Sequence, residues 1–413
     1  MPRLLLIALD GATFDVIRPL AAQGRLPAFA RLMREGASGE LASTYPAITP
    51  PAFASMLTGC NPGKHGIFDF FSRVPDTYDF VPSSGGRVKA EPLHRIVARH
   101  GLTAGMLNTP MTYPPAASDG GFTVAGLETP PGAAYTSPPE LQAELQRRVG
   151  YRIELDRWYR RGHEQAEMDA ILDLADTHRR AALHLLETRD CDLFAVTLRA
   201  PDHAQHYFWR FYDPGHPGFT QADHAAFGDF IPQSYAVCDA AIADIVKKCG
   251  PDTNVLVVSD HGFGRETKMV HLSNWLEREG FLRFNESIAG RIKKATFRAG
   301  FTADNVMNLL AKLRLERLYT GVSRETKAGV FSKLFLSYGD IDWSRTVAYA
   351  RGQIGQIFLN VRGREPHGIV EPGDEYARTR QRIIDARRAR RDPYDGPAVL
   401  QRGRLRGDLG ARR

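Results

Sequence analysis

The sequence has no apolar run that approaches the roughly 20 residues of a membrane-spanning helix. It also has few cysteines, four in 413 residues, and their positions suit neither a metal-binding pair nor a disulfide framework. The apolar run at residues 4–9 is too short for a secretory signal, and no small-residue cleavage site follows it. These absences predict a cytoplasmic protein without a transmembrane segment, with reduced cysteines at Cys60, Cys191, Cys238 and Cys249.

Positive charge is unevenly distributed along the chain. The net charge is +7, and arginines crowd the stretch from Arg378 to Arg413. Such a cluster indicates either an anionic partner or a solvated helix followed by a loose tail. No zinc-finger spacing, RNA-binding signature or basic stripe with interleaved aromatic residues accompanies it. We therefore expect a solvated surface and no specific nucleic-acid partner.

Strand-like apolar runs alternate with helical patterns over most of the first 280 positions. This alternation predicts an α/β fold with a doubly wound, mostly parallel sheet flanked by helices. Because 413 residues exceed the size at which single cores stop growing, a second element is expected. We predict a catalytic domain at 1–284 and 341–400, a small helical cap inserted at 285–340 and an irregular basic tail at 401–413. Within the cap, Val306–Leu318 is amphipathic.

Several local patterns bear on the architecture. They predict a short strand at 39–43, one helix at Ala222–Lys248, a fully buried strand at Asn254–Val258, and strands at 347–350 and 355–361 that return to the main sheet.

Three carboxylates stand just past apolar runs. Asp10 follows LLLIAL, Asp202 lies after LFAVTL, and Asp260 lies after VLVVS. His261 adjoins the last of these, and His206 lies one helical turn beyond Asp202, so the side chains of that pair point the same way. The carboxyl ends of parallel strands share one edge of a sheet. Acids gathered there repel one another unless cations neutralise them, so we predict a metal site, and the number of ligands suggests two ions.

Thr49 precedes two prolines and a small apolar helix that ends at Gly59. We expect it to be the N-cap, with Pro50 at the first helical position. Its oxygen would then lie near free backbone N–H groups and the positive end of the helix dipole. Without the carboxylates, an ordinary capping threonine would be the better interpretation. With them, the pattern favours Thr49 as a nucleophile, because a hydroxyl needs a nearby base or metal for activation.

The chain resembles the alkaline phosphatase superfamily, and within it the type I phosphodiesterase/nucleotide pyrophosphatase family. The resemblance rests on an ordered set of motifs: Asp10-Gly11, TYPAITPPAFASMLTGCNPGKHGI around Thr49, Asp202 with His206, and Ser259-Asp260-His261-Gly262. It implies a phosphoric ester hydrolase that cleaves a phosphodiester or pyrophosphate bond through a phosphothreonine on Thr49. The implied substrate is a small phosphorylated molecule, phosphodiester or nucleotide-like.

The same resemblance implies two divalent cations, usually zinc, with manganese or magnesium as alternatives. One would be held by Asp10, Thr49, Asp260 and His261. The other would be held by Asp202, His206 and a third histidine.

Two departures from the family pattern stand out. The family's phosphate-binding asparagine after His-Gly-Ile is replaced by Phe68-Asp69-Phe70, which leaves nucleotide specificity open. The family's third histidine, in a Gly-x-His-Arg-like turn near the C-terminus, has no counterpart, and the chain ends QRGRLRGDLGARR. We therefore expect the natural C-terminal segment to be absent through truncation or a frameshift, leaving the second metal site incomplete. His271 and His367 are the remaining candidates for the third ligand.

Two alternative functions stay open. One is a phosphomonoesterase of the same superfamily. The other is a catalytically impaired, metal-binding or interaction protein that lacks the third histidine. A sulfatase does not fit, because its modified nucleophile derives from Cys or Ser and not from Thr.

Overall fold

The computed structural model describes residues 1–116, 120–156, 159–268, 270–298, 337–351 and 354–389. The chain forms two compact units, Met1–Ser72 with Phe80–Thr267, and Arg73–Asp79 with Lys268–Arg413. Most of the predicted cap, including 306–318, and the whole tail 401–413 lie outside the described residues. None of the described helices has the length and apolarity that a membrane crossing requires.

The first part of the chain supplies a central sheet. The strands in this part of the chain are β1 (Leu4–Leu9), β2 (Phe71–Arg73), β3 (Phe80–Pro82), β4 (Ala104–Thr109), β5 (Phe122–Ala125), β6 (Thr136–Ser137), β7 (Leu193–Leu198) and β8 (Asn254–Ser259). Six of them form one sheet in the order β6-β5-β4-β7-β1-β8. All neighbours are parallel except β5 and β6, while β2 and β3 form a separate pair. The predicted doubly wound, mostly parallel α/β sheet is confirmed.

Helices cover both faces of this sheet. They are α1 (Phe14–Ala22), α2 (Pro27–Glu35), α3 (Thr49–Thr58), α4 (Pro62–His65), α5 (Leu93–Arg99), α6 (Glu140–Val149), α7 (Glu164–Thr188), α8 (Ala200–Tyr212), α9 (Gln221–Phe227) and α10 (Phe230–Cys249). Leu5 and Ile7 of β1 join the core formed with α7, α8 and α10, whereas Leu6 joins Phe53 of α3 in a second core. Burial on both faces explains why β1 is apolar throughout.

The register of three central strands determines which residues meet at the sheet edge. Leu9 of β1 is paired with Leu198 of β7 on one side and with Ser259 of β8 on the other. The residues that directly follow these three are Asp10, Arg199 and Asp260. The parallel sheet therefore brings together side chains that are far apart in sequence.

Three local predictions in this unit were wrong. Residues 39–43 form no strand, and Ser43 instead donates a hydrogen bond to the Asp260 carbonyl at 2.5 Å. The predicted helix 222–248 is two helices, because α9 ends at Phe227, with Gly228 as its C-cap, before α10 begins at Phe230. Strand β8 lies at the edge of the sheet, with Leu256 51% exposed, and is not fully buried. A short apolar run does not distinguish an edge strand from a central one.

The second unit contains α11 (Leu272–Arg278), α12 (Ile288–Arg298), β9 (Ala348–Ala350), β10 (Ile357–Leu359) and α13 (Asp374–Ala389). The strands predicted at 347–350 and 355–361 are present in shorter form, but they pair antiparallel with each other and do not return to the main sheet. Aromatic side chains of this unit pack locally: the ring centroids of Tyr349 and Phe358 are 5.3 Å apart in a stacked pair, and those of Trp343 and Tyr78 are 3.6 Å apart in another. This local aromatic core explains why β9 and β10 can form a two-stranded sheet separate from the main sheet.

Candidate active site

Three predicted site residues converge at the carboxyl edge of β1 and β8. Asp10, Asp260 and His261 each offer a ligand atom, and these atoms lie within 4.8 Å of one another. Nε2 of His261 is 3.5 Å from Oδ1 of Asp10 and 3.3 Å from Oδ2 of Asp260. Both carboxylates are buried. These distances place the three possible ligand atoms around one small volume.

Backbone groups fix the orientation of this cluster. Oδ1 of Asp260 accepts hydrogen bonds from the N–H groups of Gly11 at 3.0 Å and of His261 at 2.9 Å. Oδ2 of Asp260 is buried and forms no hydrogen bond to any described residue. Nδ1 of His261 lies 2.9 Å from the carbonyl oxygen of Gly262, which can only accept, so Nδ1 carries the proton and Nε2 is left available as a ligand. An unsatisfied carboxylate oxygen beside an available imidazole nitrogen fits a divalent cation.

The pKa values of this cluster reflect uncompensated negative charge. Burial, reinforced by the neighbouring Asp10, raises the pKa of Asp260 well above its usual range. Burial alone would lower the pKa of His261, but Asp260 and Asp10 outweigh it and raise the pKa. A bound cation would relieve both effects, because its charge is the largest in any such site.

Thr49 lies within reach of the cluster. Its buried Oγ1 is 3.2 Å from Nε2 of His261 and 3.4 Å from Oδ1 of Asp10. Either atom can accept the hydroxyl proton. The predicted site residues Thr49, Asp10 and His261 therefore lie close together in the structure.

The local placement of Thr49 differs from the prediction. Thr49 is the first residue of α3, and Ile48 is the N-cap. Pro50 and Pro51 carry no N–H, and the N–H of Ala52 donates to the Ile48 carbonyl at 3.2 Å. The helix therefore offers only the N–H groups of Ile48 and Thr49 at its start, so charge on a bound phosphate must be balanced mainly by other groups.

The second predicted pair lies on α8. Asp202 is buried, whereas the side chain of His206 is 59% exposed, and its Nε2 lies 3.3 Å from Oδ1 of Asp202. Burial alone would lower the pKa of His206, but Asp202 raises it. A Cβ on Gly11 would lie 3.0 Å from Oδ1 of Asp202, so glycine permits the close approach of the β1 loop to α8. The spacing of four residues puts both side chains on one face, as expected.

The described residues contain one group of three or more metal-ligating side chains, that of Asp10, Asp260 and His261. Asp202 and His206 remain a pair within that part of the chain. His271 and His367, the candidates for a third ligand, belong to the second unit. Their assignment as ligands stays a prediction.

A charged network behind the carboxylates was not predicted. Arg199 is 6% exposed, and its Nε donates to Oδ2 of Asp10 at 2.8 Å. Its Nη1 donates to Glu154, and its Nη2 lies 3.8 Å from Oδ2 of Asp202. Nε2 of His203 is 2.9 Å from Oε1 of the same glutamate. Burial alone would lower the pKa of Arg199, but Glu154, Asp10 and Asp202 raise it, so the guanidinium stays charged.

The fold and the site define the class of this protein: a doubly wound α/β protein with a cluster of acids and a histidine that could hold a metal ion, and a buried hydroxyl, at the carboxyl edge of its sheet. The family model described as type I phosphodiesterase / nucleotide pyrophosphatase matches residues 4–347. The chain belongs to this family of phosphoester hydrolases, and the resemblance seen in its motifs is confirmed.

Comparison with curated proteins gives no significant match. Among solved structures, the chain is similar to phosphonoacetate hydrolase from Sinorhizobium meliloti 1021 in complex with phosphonoacetate, at 17% identity and a TM-score of 0.47, over 70% of this chain and 67% of that one. It is also similar to an inactive form of murine ectonucleotide pyrophosphatase/phosphodiesterase 5 in complex with AMP, at 13% identity and a TM-score of 0.41, over 70% of this chain and 65% of that one.

Proposed function

We propose that this protein is a metal-dependent hydrolase that cleaves a phosphodiester or pyrophosphate bond in a small phosphorylated, nucleotide-like substrate, with Thr49 as the nucleophile. Family membership supports the hydrolase class. The observation that carries the proposal is the position of the Thr49 oxygen, 3.2 Å from His261 and 3.4 Å from Asp10. A threonine whose only role is to begin a helix would not require a histidine and a carboxylate beside its hydroxyl.

The residues fit divalent cations. Asp10, Thr49, Asp260 and His261 would hold one ion, and Asp202 with His206 would contribute to a second. Zinc, manganese or magnesium, when bound, would supply Lewis-acid stabilisation of the phosphoryl oxygens and would favour ionisation of a coordinated hydroxyl. The unsatisfied Oδ2 of Asp260 is the strongest local support for this donor set.

The chain's own residues then account for two steps. Oγ1 of Thr49 attacks phosphorus and displaces the leaving group, while its proton passes to a water molecule, because Nε2 of His261 and Oδ1 of Asp10 would be occupied as cation ligands. Water subsequently attacks the phosphothreonine, returning the threonine hydroxyl and releasing the phosphoryl product. The burial of Thr49 and Asp10 limits competing access of water to the nucleophile.

Hydrolysis of bis-p-nitrophenyl phosphate and of p-nitrophenyl phosphate by the full chain tests this proposal. Each substrate is assayed after loading with Zn²⁺, Mn²⁺ or Mg²⁺, alongside Thr49→Ala. The expected result is metal-dependent hydrolysis, faster on the diester and abolished in the variant. Preference for the monoester would favour a phosphomonoesterase. No hydrolysis with any ion would favour a catalytically impaired metal-binding or interaction protein.

A further inference from the structure

Arg199 connects two carboxylates that come from different elements. Asp10 follows β1 and Asp202 lies on α8, yet the guanidinium is 2.8 Å from the first and 3.8 Å from the second. The register of β7 against β1 places Arg199 directly beside Asp10. The contact is therefore determined by the sheet itself and not by a flexible surface side chain.

Each of these carboxylates divides its two oxygens between different neighbours. Oδ2 of Asp10 faces Arg199, whereas Oδ1 faces Thr49 and His261. Oδ2 of Asp202 faces Arg199, whereas Oδ1 faces His206. In both cases one oxygen is on the side of the arginine, hydrogen-bonded to it in Asp10 and at ion-pair distance from it in Asp202, and the other is directed toward the candidate ligands.

The guanidinium is itself held in place. Glu154 accepts from its Nη1, and His203 lies 2.9 Å from the same glutamate. The pKa of Glu154 is lowered, because the charge of Arg199 and the hydrogen bond with His203 outweigh its burial. Burying an arginine among several acids is costly and is not by itself a route to stability. Its planar fork can, however, bind two carboxylates at once in fixed directions, which a lysine ammonium cannot.

We propose that Arg199 is a positioning residue of the active site: its guanidinium fixes one oxygen of Asp10 and one of Asp202, so that the other oxygen of each is directed at the cations and the substrate. The inference rests on the proposed function. It assigns Arg199 the outer-shell part that orients metal ligands in other proteins. It also ties the two ligand groups together, so a change at Arg199 affects both.

Arg199→Lys provides the test, since it keeps the charge and loses the fork. The matched control is Arg210→Lys, on the helix that follows Arg199, where Nη2 of the arginine lies 3.4 Å from Oε1 of Glu164. Measurements on each variant are Zn²⁺ affinity by chelator competition, the visible spectrum of the Co²⁺-loaded protein, kcat and KM. We expect Arg199→Lys to lose about 10–100-fold in metal affinity or in kcat and to change the Co²⁺ spectrum. Arg210→Lys should match the wild type in all of these.

Glu154→Gln is the second variant, in case Arg199→Lys does not fold. It leaves Arg199 and both carboxylates present but removes the charged anchor. A smaller change of the same kind in the Co²⁺ spectrum is expected. A wild-type spectrum and wild-type Zn²⁺ affinity in the soluble variants would overturn the inference, even if their stability fell. Failure of the proposed function is seen separately, as a wild-type protein that neither binds Zn²⁺ nor hydrolyses either substrate.

Discussion

The hydroxyl oxygen of Thr49 lies 3.2 Å from Nε2 of His261, although 212 positions separate the two residues in the chain. Thr49 starts a helix, and His261 follows the edge strand β8. Their meeting depends on the parallel sheet, whose carboxyl edge gathers residues from distant segments.

Replacing the hydroxyl without changing the side-chain shape separates chemistry from packing. Thr49→Val should lower kcat/KM by at least about 10³-fold, because the nucleophile is lost. Thr49→Ser keeps an oxygen at the same position and should retain measurable hydrolysis. Both variants should still bind Zn²⁺ through Asp10, Asp260 and His261. Equal activity of the valine variant and the wild type would exclude Thr49 as the nucleophile.

The unsatisfied oxygen of Asp260 predicts opposite effects on the metal-free and the metal-loaded protein. Asp260→Asn keeps an oxygen that can accept from Gly11 and His261 but removes the buried negative charge. The free energy of unfolding of the metal-free variant should equal that of the wild type or exceed it by up to about 2 kcal/mol, because a poorly compensated buried charge is lost. Zn²⁺ should raise the Tm of the wild type and leave that of the variant nearly unchanged.

Thermal unfolding with EDTA and with Zn²⁺ measures both effects. Asp229→Asn is a suitable control, because Asp229 pairs with Arg25 at 2.6 Å on the surface. That variant should respond to Zn²⁺ as the wild type does. Equal Zn²⁺ stabilisation of Asp260→Asn and the wild type would show that Asp260 is not a ligand.

The sequence predicted the positions at which the sheet presents acids, but not all of their neighbours. Asp10 and Asp260 were identifiable because each directly follows an apolar strand. Arg199 stands at the equivalent position after β7, but because an arginine is not a metal ligand, the sequence pattern does not mark it as part of the site. The register that aligns all three is a tertiary property. Once the strand order is known, the contact between Arg199 and Asp10 follows.

Other differences have similarly non-local causes. The edge position of β8 depends on which strands pair, and a run of branched residues does not encode it. The start of α3 differs by one residue from the expected cap, since Ile48 takes that place. Helix ends are the least certain part of any sequence-based assignment. The two adjacent prolines of the first turn are visible in the sequence. Because proline has no backbone N–H, they limit the number of free N–H groups at the start of the helix.

Gly11 predicts a further effect on the site. Its φ of +68° is strained for any residue with a side chain, and an added Cβ would lie 3.0 Å from Oδ1 of Asp202. Gly11→Ala should therefore destabilise the fold by more than about 1 kcal/mol and displace Asp202. Gly24→Ala is the matched control, because Gly24 has a φ of +75° and no atom within 4 Å of the added Cβ.

Urea unfolding and diester hydrolysis together distinguish the two glycines. Both variants should lose stability through backbone strain. Only Gly11→Ala should lose hydrolysis when assayed under conditions where both variants are folded. Equal activity of the two variants would mean that the contact with Asp202 is unimportant for the reaction.

The buried His178 of α7 should make the stability of the fold depend on pH. The imidazole is 1% exposed, its Nε2 is 2.9 Å from the Arg152 carbonyl oxygen, and its Nδ1 is 3.3 Å from Nδ2 of Asn108. The carbonyl can only accept and the amide nitrogen can only donate, so both contacts suit a neutral ring with its proton on Nε2. Burial accordingly lowers the pKa of His178 to about 4.

The unfolded chain would protonate His178 near its ordinary pKa of about 6.5. Between that value and about 4, the unfolded state therefore binds more protons than the folded state. Stability is retained above pH 6.5 and falls as the pH drops through this window, by up to about 3 kcal/mol from this residue. The buried His94 adds a slope of the same sign. His178→Gln should be less stable than the wild type at pH 7, and this deficit should shrink toward pH 4.5 in urea titrations. The exposed His163, changed to Gln, should produce no such convergence, and a constant deficit for His178→Gln would contradict the prediction.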